Sequence, residues 1–84
     1  MKTLKIDSNL YSKLQVRNVV DFINDNLVVD YYITEESYVI QGTKYFNLSL
    51  NFTTYTDRKR KFNIHGLYEH NKNVIIENIE SFYK

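Results

Sequence analysis

The sequence predicts an α+β fold: a small antiparallel β-sheet of about four to five strands, packed on one face by one or two helices. Three observations in the 84 residues lead there. Apolar residues recur at helical spacing from Leu14 to Leu27. The period then shortens to two and stays there through Tyr68. Helical spacing returns from Ile75 to Tyr83. The expected order is β-α-β-β-β-β-α. Residues 1–84 read as a single small domain, because a chain with no Pro and two Gly offers no linker.

The elements follow in order. Thr3-Leu4-Lys5-Ile6 is expected as a short edge strand, and Asp7-Ser8-Asn9 as a turn. Ser12 with Gln15 fits a capping box, in which each side chain satisfies a free N–H at the start of a helix. The helix is expected over about Ser12 to Asp25. Leu14, Val16, Val19, Val20, Ile23 and Leu27 lie on its apolar side, and Lys13, Arg17, Asp21, Asn24 and Asp25 mainly on the other. Asn24-Asp25-Asn26 is its stop, since Asn tolerates a left-handed cap. Val29, Tyr31 and Ile33 then alternate with Val28, Asp30 and Tyr32. Thr34-Glu35-Glu36-Ser37 reads as a type I turn, and Tyr38-Val39-Ile40-Gln41 as the answering strand, ended by Gly42.

The longest strand is expected from Tyr45 to Thr56. Phe46, Leu48, Leu50 and Phe52 point inward; Tyr45, Asn47, Ser49, Asn51, Thr53 and Tyr55 point outward. It forms a hairpin with a second alternating run. There Phe62, Ile64, Gly66 and Tyr68 oppose Lys61, Asn63, His65 and Leu67, with Asp57 to Arg60 at or near the tip. Asn71-Lys72-Asn73 breaks the pattern before a terminal helix through Ile75, Ile76, Ile79, Phe82 and Tyr83. A terminal strand is the alternative, because Ile and Val also favour sheets.

Composition excludes several classes. With no Cys, a disulfide scaffold, an iron–sulfur cluster and a thiolate zinc site are ruled out. A net charge of +1 argues against strong non-specific attraction to nucleic acid or membrane. The N-terminal stretch lacks the apolar core of a signal peptide, and no segment reaches membrane-spanning length. The expectation is a cytoplasmic protein with no membrane partner, in which the sequons at Asn47 and Asn51 are chance matches. Ala is absent while Asn, Lys, Ile and Tyr abound, which is the mark of AT-rich codons and points to a low-GC bacterial host, its phages or its mobile elements.

The catalytic inventory is poor. No Gly-rich phosphate loop exists. His65 and His70, read on one strand five residues apart, point to opposite faces and cannot share a metal. Asp21 and Asp25 fall one turn apart beside Arg17, which suits a helix-surface ion pair. Glu35 with Glu36 reads as turn polarity, and Glu77 with Glu80 as a wet helix face. No enzyme activity, cofactor or metal is expected.

Binding is the better reading. From Tyr45 to Thr56 there is no charge at all, which a central strand explains. The outward Tyr, Asn, Ser and Thr also form the palette of adaptable binding surfaces. Arg58, Lys59, Arg60 and Lys61 follow as the one concentrated charge. The expected partner-binding residues are Tyr45, Asn47, Ser49, Asn51, Tyr55, Arg58, Lys59, Arg60, Lys61, Asn63 and His65. The expected partner is a host protein or ribonucleoprotein complex. The protein would then be a phage or mobile-element inhibitor of the anti-defence type, the class that includes inhibitors of CRISPR nucleases. The alternative is a nucleic-acid-binding module, with Arg58–Lys61 on phosphates and flanking aromatics on bases. A thin core and an uncharged strand also admit a homodimer through a sheet edge or face.

Overall fold

The computed structural model describes residues 2–84. Its elements are α1 (Ser8–Tyr11), α2 (Leu14–Asp25), β1 (Val28–Ile40), β2 (Thr43–Thr54), β3 (Lys59–Leu67) and α3 (Glu69–Phe82). The strands form one antiparallel sheet in the order β1-β2-β3. The α+β class and the antiparallel sheet are as the period changes predict. The sheet has three strands rather than four or five, and helices come first.

Two expected strands are lost for different reasons. Thr3–Ile6 forms no strand. Leu4 instead enters the core at 5% exposure, and its backbone is held by one side chain of α2. The Leu4 N–H donates to Asn24 Oδ1 at 2.7 Å, and Asn24 Nδ2 donates to the Leu4 carbonyl at 3.0 Å. A carboxamide carries one acceptor and a donor, so Asn24 imitates the edge of a neighbouring strand.

The other lost strand merges with its neighbour. Thr34-Glu35-Glu36-Ser37 does not turn; it runs through the middle of a 13-residue β1. These residues lack the Gly, Asn or Pro that forces a reversal. Each finds a cross-strand partner on β2, from Thr34 opposite Ser49 to Ser37 opposite Phe46. The reversal falls at Gln41-Gly42, with φ of +50° and +82°. A two-residue loop with both φ positive matches the right-handed twist of its strands. Glycine supplies the second position without a Cβ penalty.

Capping also differs from the sequence pattern. The Ser12–Gln15 box does not form, because both side chains are engaged elsewhere. Ser12 Oγ donates to the Asn9 carbonyl at 2.7 Å, and Gln15 Oε1 accepts the His65 N–H at 3.0 Å. Asp7 caps α1 instead, accepting from Asn9 N–H at 2.8 Å. α2 therefore starts at Leu14, which is left exposed. Asn26 ends it in an extended conformation rather than a left-handed one, with Nδ2 donating to the Phe22 carbonyl. Arg17 does not pair with Asp21. It reaches the Tyr11 and Ser12 carbonyls, while Asp21 accepts the Tyr11 hydroxyl.

β2 is the central strand, and its inward set is the core. Phe46, Leu48, Leu50 and Phe52 are all 5% exposed or less. Opposite them lie Val16, Val19, Val20 and Ile23 of α2, and Ile75 and Ile79 of α3. Burying a side chain of this size contributes about 1.5–3 kcal/mol.

Two bulges correct the alternation of the outer strands. In β3 the register shifts between the partners of Phe46 and Leu48, and Gly66 takes φ +71°. The phase flips there, so Leu67 is buried and Tyr68 exposed, the reverse of a continuous alternation. In β1 the shift between Val28 and Asp30 turns Val28 to the core and leaves Val29 exposed. The terminal helix is present but begins at Glu69, so Asn71-Lys72-Asn73 lies inside it. Among the described residues, no helix is long and apolar enough to cross a membrane.

Candidate functional site

Both long helices pack on the same side of the sheet, and the other side is open. Register dictates what lies there, because residues paired across strands share a face. Asp30, Thr53 and Lys59 form one row; Tyr32, Asn51 and Lys61 form the next. Thr34, Ser49 and Asn63 form the third. Glu36 pairs with Asn47 beside His65, and Tyr38 pairs with Tyr45 at the far end.

Each column has its own chemistry. β2 contributes the neutral centre. β1 contributes carboxylates, at Asp30 and Glu36, and β3 contributes the ammonium groups of Lys59 and Lys61. The face is thus acidic along one edge and basic along the other, about 10 Å away across two strand spacings. It has two shallow depressions. One, of about 270 Å³, is lined by Thr34, Glu36, Asn47, Ser49, Lys61, Asn63 and His65 among others. The second, of about 310 Å³, includes Asp30, Tyr32, Asn51, Thr53, Lys59 and Lys61.

One end of the face is aromatic. Tyr38 and Tyr45 stack with centroids 5.7 Å apart and planes 25° from parallel. Tyr68, leaving β3 before α3, lies 5.5 Å from the Tyr45 ring. The bulge at Gly66 brings it there. The Gly66 N–H donates to Asn47 Oδ1 at 3.0 Å, so Asn47 braces the bulge from the face itself.

Of the residues that the sequence nominated, Tyr45, Asn47, Ser49, Asn51, Lys59, Lys61, Asn63 and His65 share this face. The remaining three do not. Tyr55 sits in the β2–β3 turn, 73% exposed, with its N–H donating to the Leu27 carbonyl at 2.8 Å. It lies at the opposite end of β2 from Tyr45. Arg58 lies in the same turn, its N–H on Thr54 Oγ1 at 3.2 Å. Arg60 points to the helical side, its guanidinium 4.8 Å from the Phe62 ring centroid. The basic run belongs largely to β3, and strand alternation splits it between two faces.

Sequence reasoning missed Tyr32, Thr34, Glu36, Tyr38 and Tyr68. The first four were legible as one alternating column once Thr34–Ser37 is read as strand. Tyr68 was not, because only the bulge brings it over the face. His70 lies in the first turn of α3, not on a strand with His65.

Among the described residues, no group of three or more His, Asp or Glu could hold a metal ion. No Thr or Ser hydroxyl of the face bonds to His65 or Glu36 there. Three tyrosines off this face, Tyr83, Tyr31 and Tyr11, have raised pKa values. Burial, then the neighbouring Tyr31, pushes Tyr83 up to about 12. Burial, then Glu80, raises Tyr31, and the hydrogen bond to Asp21 raises Tyr11. Compared with protein-family models, curated proteins and solved structures, the chain matches none.

Proposed function

We propose that this protein is a non-enzymatic binding module that docks its open sheet face onto a host protein or ribonucleoprotein complex. The uncovered face carries the reading, with a neutral Tyr/Asn/Ser centre anchored by the Tyr38–Tyr45–Tyr68 stack. Tyrosine gives large contact area at low entropic cost, and Asn and Ser supply adaptable hydrogen bonds. The AT-rich composition supports the more specific form: a phage or mobile-element inhibitor of the anti-defence type, related in role to inhibitors of CRISPR nucleases. Such a protein acts by occupying a working surface and requires no chemistry of its own.

The split of the basic run favours a protein partner over nucleic acid. A phosphate chain drawn to Lys59 and Lys61 would meet Asp30 and Glu36 on the same face. The test is a pull-down from a low-GC host lysate, followed by affinity measurement with the captured partner. Tyr45→Ala and Tyr38→Ala should each weaken the complex by about 2 kcal/mol, roughly thirtyfold, with little change in melting temperature. Unchanged affinity in the folded variants would remove the face from the proposal. Retention of single-stranded nucleic acid, with a salt slope of about −0.7 per phosphate contact, would replace the protein partner.

A further inference from the structure

The two edges of the sheet are not equally protected, and the hydrogen-bond phase shows which one is open. The two-residue Gln41-Gly42 loop makes Ile40 and Thr43 the closing pair, so even-numbered residues of β1 bond to β2. Odd-numbered residues then send their N–H and C=O outward. Tyr31 confirms the phase, since its N–H is taken by Asp30 Oδ1 at 2.9 Å and not by the ladder. Beyond that bond, the outward N–H groups of Ile33, Glu35, Ser37 and Val39 meet no partner among the described residues. On the other edge, the outward N–H of His65 is capped by Gln15, and Lys59 and Lys61 flank the rest. Lysines, bulges and caps are common ways of blunting an edge, and β1 from Ile33 to Val39 has none of them.

We infer that the Ile33–Val39 edge of β1 receives an extended, Lys- or Arg-bearing segment of the partner protein as a fourth strand. Backbone pairing supplies the affinity and the side chains supply the choice. The side-chain preference is for positive charge. Glu36 projects on the open face beside Tyr38, so a basic residue placed opposite meets a carboxylate and an aromatic ring together. Glu35, on the helical side, is already paired with Lys72 at 3.3 Å.

The same carboxylates turn away a second copy of this chain. Every antiparallel self-pairing centred between Thr34 and Ser37 sets Glu35 or Glu36 opposite or diagonal to its own copy, which is destabilising. The edge is therefore guarded against itself and open to a basic strand.

The inference rests on the protein-docking reading for its partner but fails independently of it. The probes are two blocked peptides of alternating Thr with Lys, or Thr with Glu, added to the ¹⁵N-labelled protein. The Lys peptide should shift the amides of Ile33, Glu35, Ser37 and Val39 and slow their exchange. Ser37→Pro removes an outward N–H that the ladder does not use, so the protein folds, and binding should fall at least about tenfold. Glu36→Lys, a second folded variant, should reverse the preference to the Glu peptide. Silence of those amides with the Lys peptide, or equal response to both peptides, would overturn the edge assignment. So would protection that grows with protein concentration alone. Tyr45→Ala should leave peptide binding intact, so loss of the host complex in that variant reports on the face and not on the edge.

Discussion

Tyr83 shows how one side chain can tie stability to pH. Its hydroxyl is buried with no hydrogen-bond partner among the described residues, while its ring packs 4.9 Å from Tyr31. Burial favours the neutral phenol and pushes its pKa from 10.0 to about 12. The unfolded chain releases this proton first, so it binds fewer protons than the native state between those values. Stability is therefore complete below pH 10 and falls as pH rises toward 12. Tyr83→Phe should flatten that part of the profile in thermal melts taken from pH 9 to 11.5. At neutral pH it should leave stability unchanged or slightly higher, because it removes an unsatisfied hydroxyl. A steeper alkaline loss in the variant would contradict this account. Residue-scale features such as this were the least legible in the sequence. Asn24 read as polar surface and Gln15 as a capping residue, yet their partners are Leu4 and His65, 20 and 50 residues away. No local pattern carries a contact of that separation.

At the scale of elements, periodicity reported direction well and boundaries poorly. The inward set of β2 is the core, and the terminal helix is present. The error in β1 came from reading charged residues as a turn, when Glu35 and Glu36 have structural places in the strand. Lys72 explains part of this. It lies on the buried side of α3 with its Nζ 4.5 Å from the Phe46 ring centroid and 3.3 Å from Glu35. Its aliphatic stem covers the end of the core while the charge reaches the strand. Since Glu35 stays well exposed, the ion pair contributes little and the stem contributes most. Lys72→Met should therefore change unfolding free energy by less than about 1 kcal/mol, whereas Lys72→Ala should cost about 1–2 kcal/mol. Chemical denaturation of both variants checks this. Equal losses would mean that the charge, and not the packing, matters.

At the scale of the whole molecule, the β1–β2 hairpin sets the shape. The extents are 44 × 24 × 22 Å, and 13 residues of strand span about 43 Å at 3.3 Å per residue. The helices cover the sheet's middle, so the hairpin's Gln41-Gly42 end stands with Val39 and Ile40 more than half exposed. Local opening should follow that geometry. Native-state amide exchange should be slowest at Leu48, Leu50 and Phe52 and fastest in β2 near Thr43. Uniform protection along β2 would contradict it. The open face was half legible at this scale. Its central column lies on one strand, but its acidic column depends on a register that only the assembled sheet provides. That register also separates two kinds of position. Along β2, the even-numbered side chains from Phe46 to Thr54 are buried, while Tyr45, Ser49, Asn51 and Thr53 lie half-buried on the open face. Substitutions at those four positions leave the buried set of β2 unchanged. On the docking role proposed above, changes there would let the face follow a changing partner while the architecture stays the same.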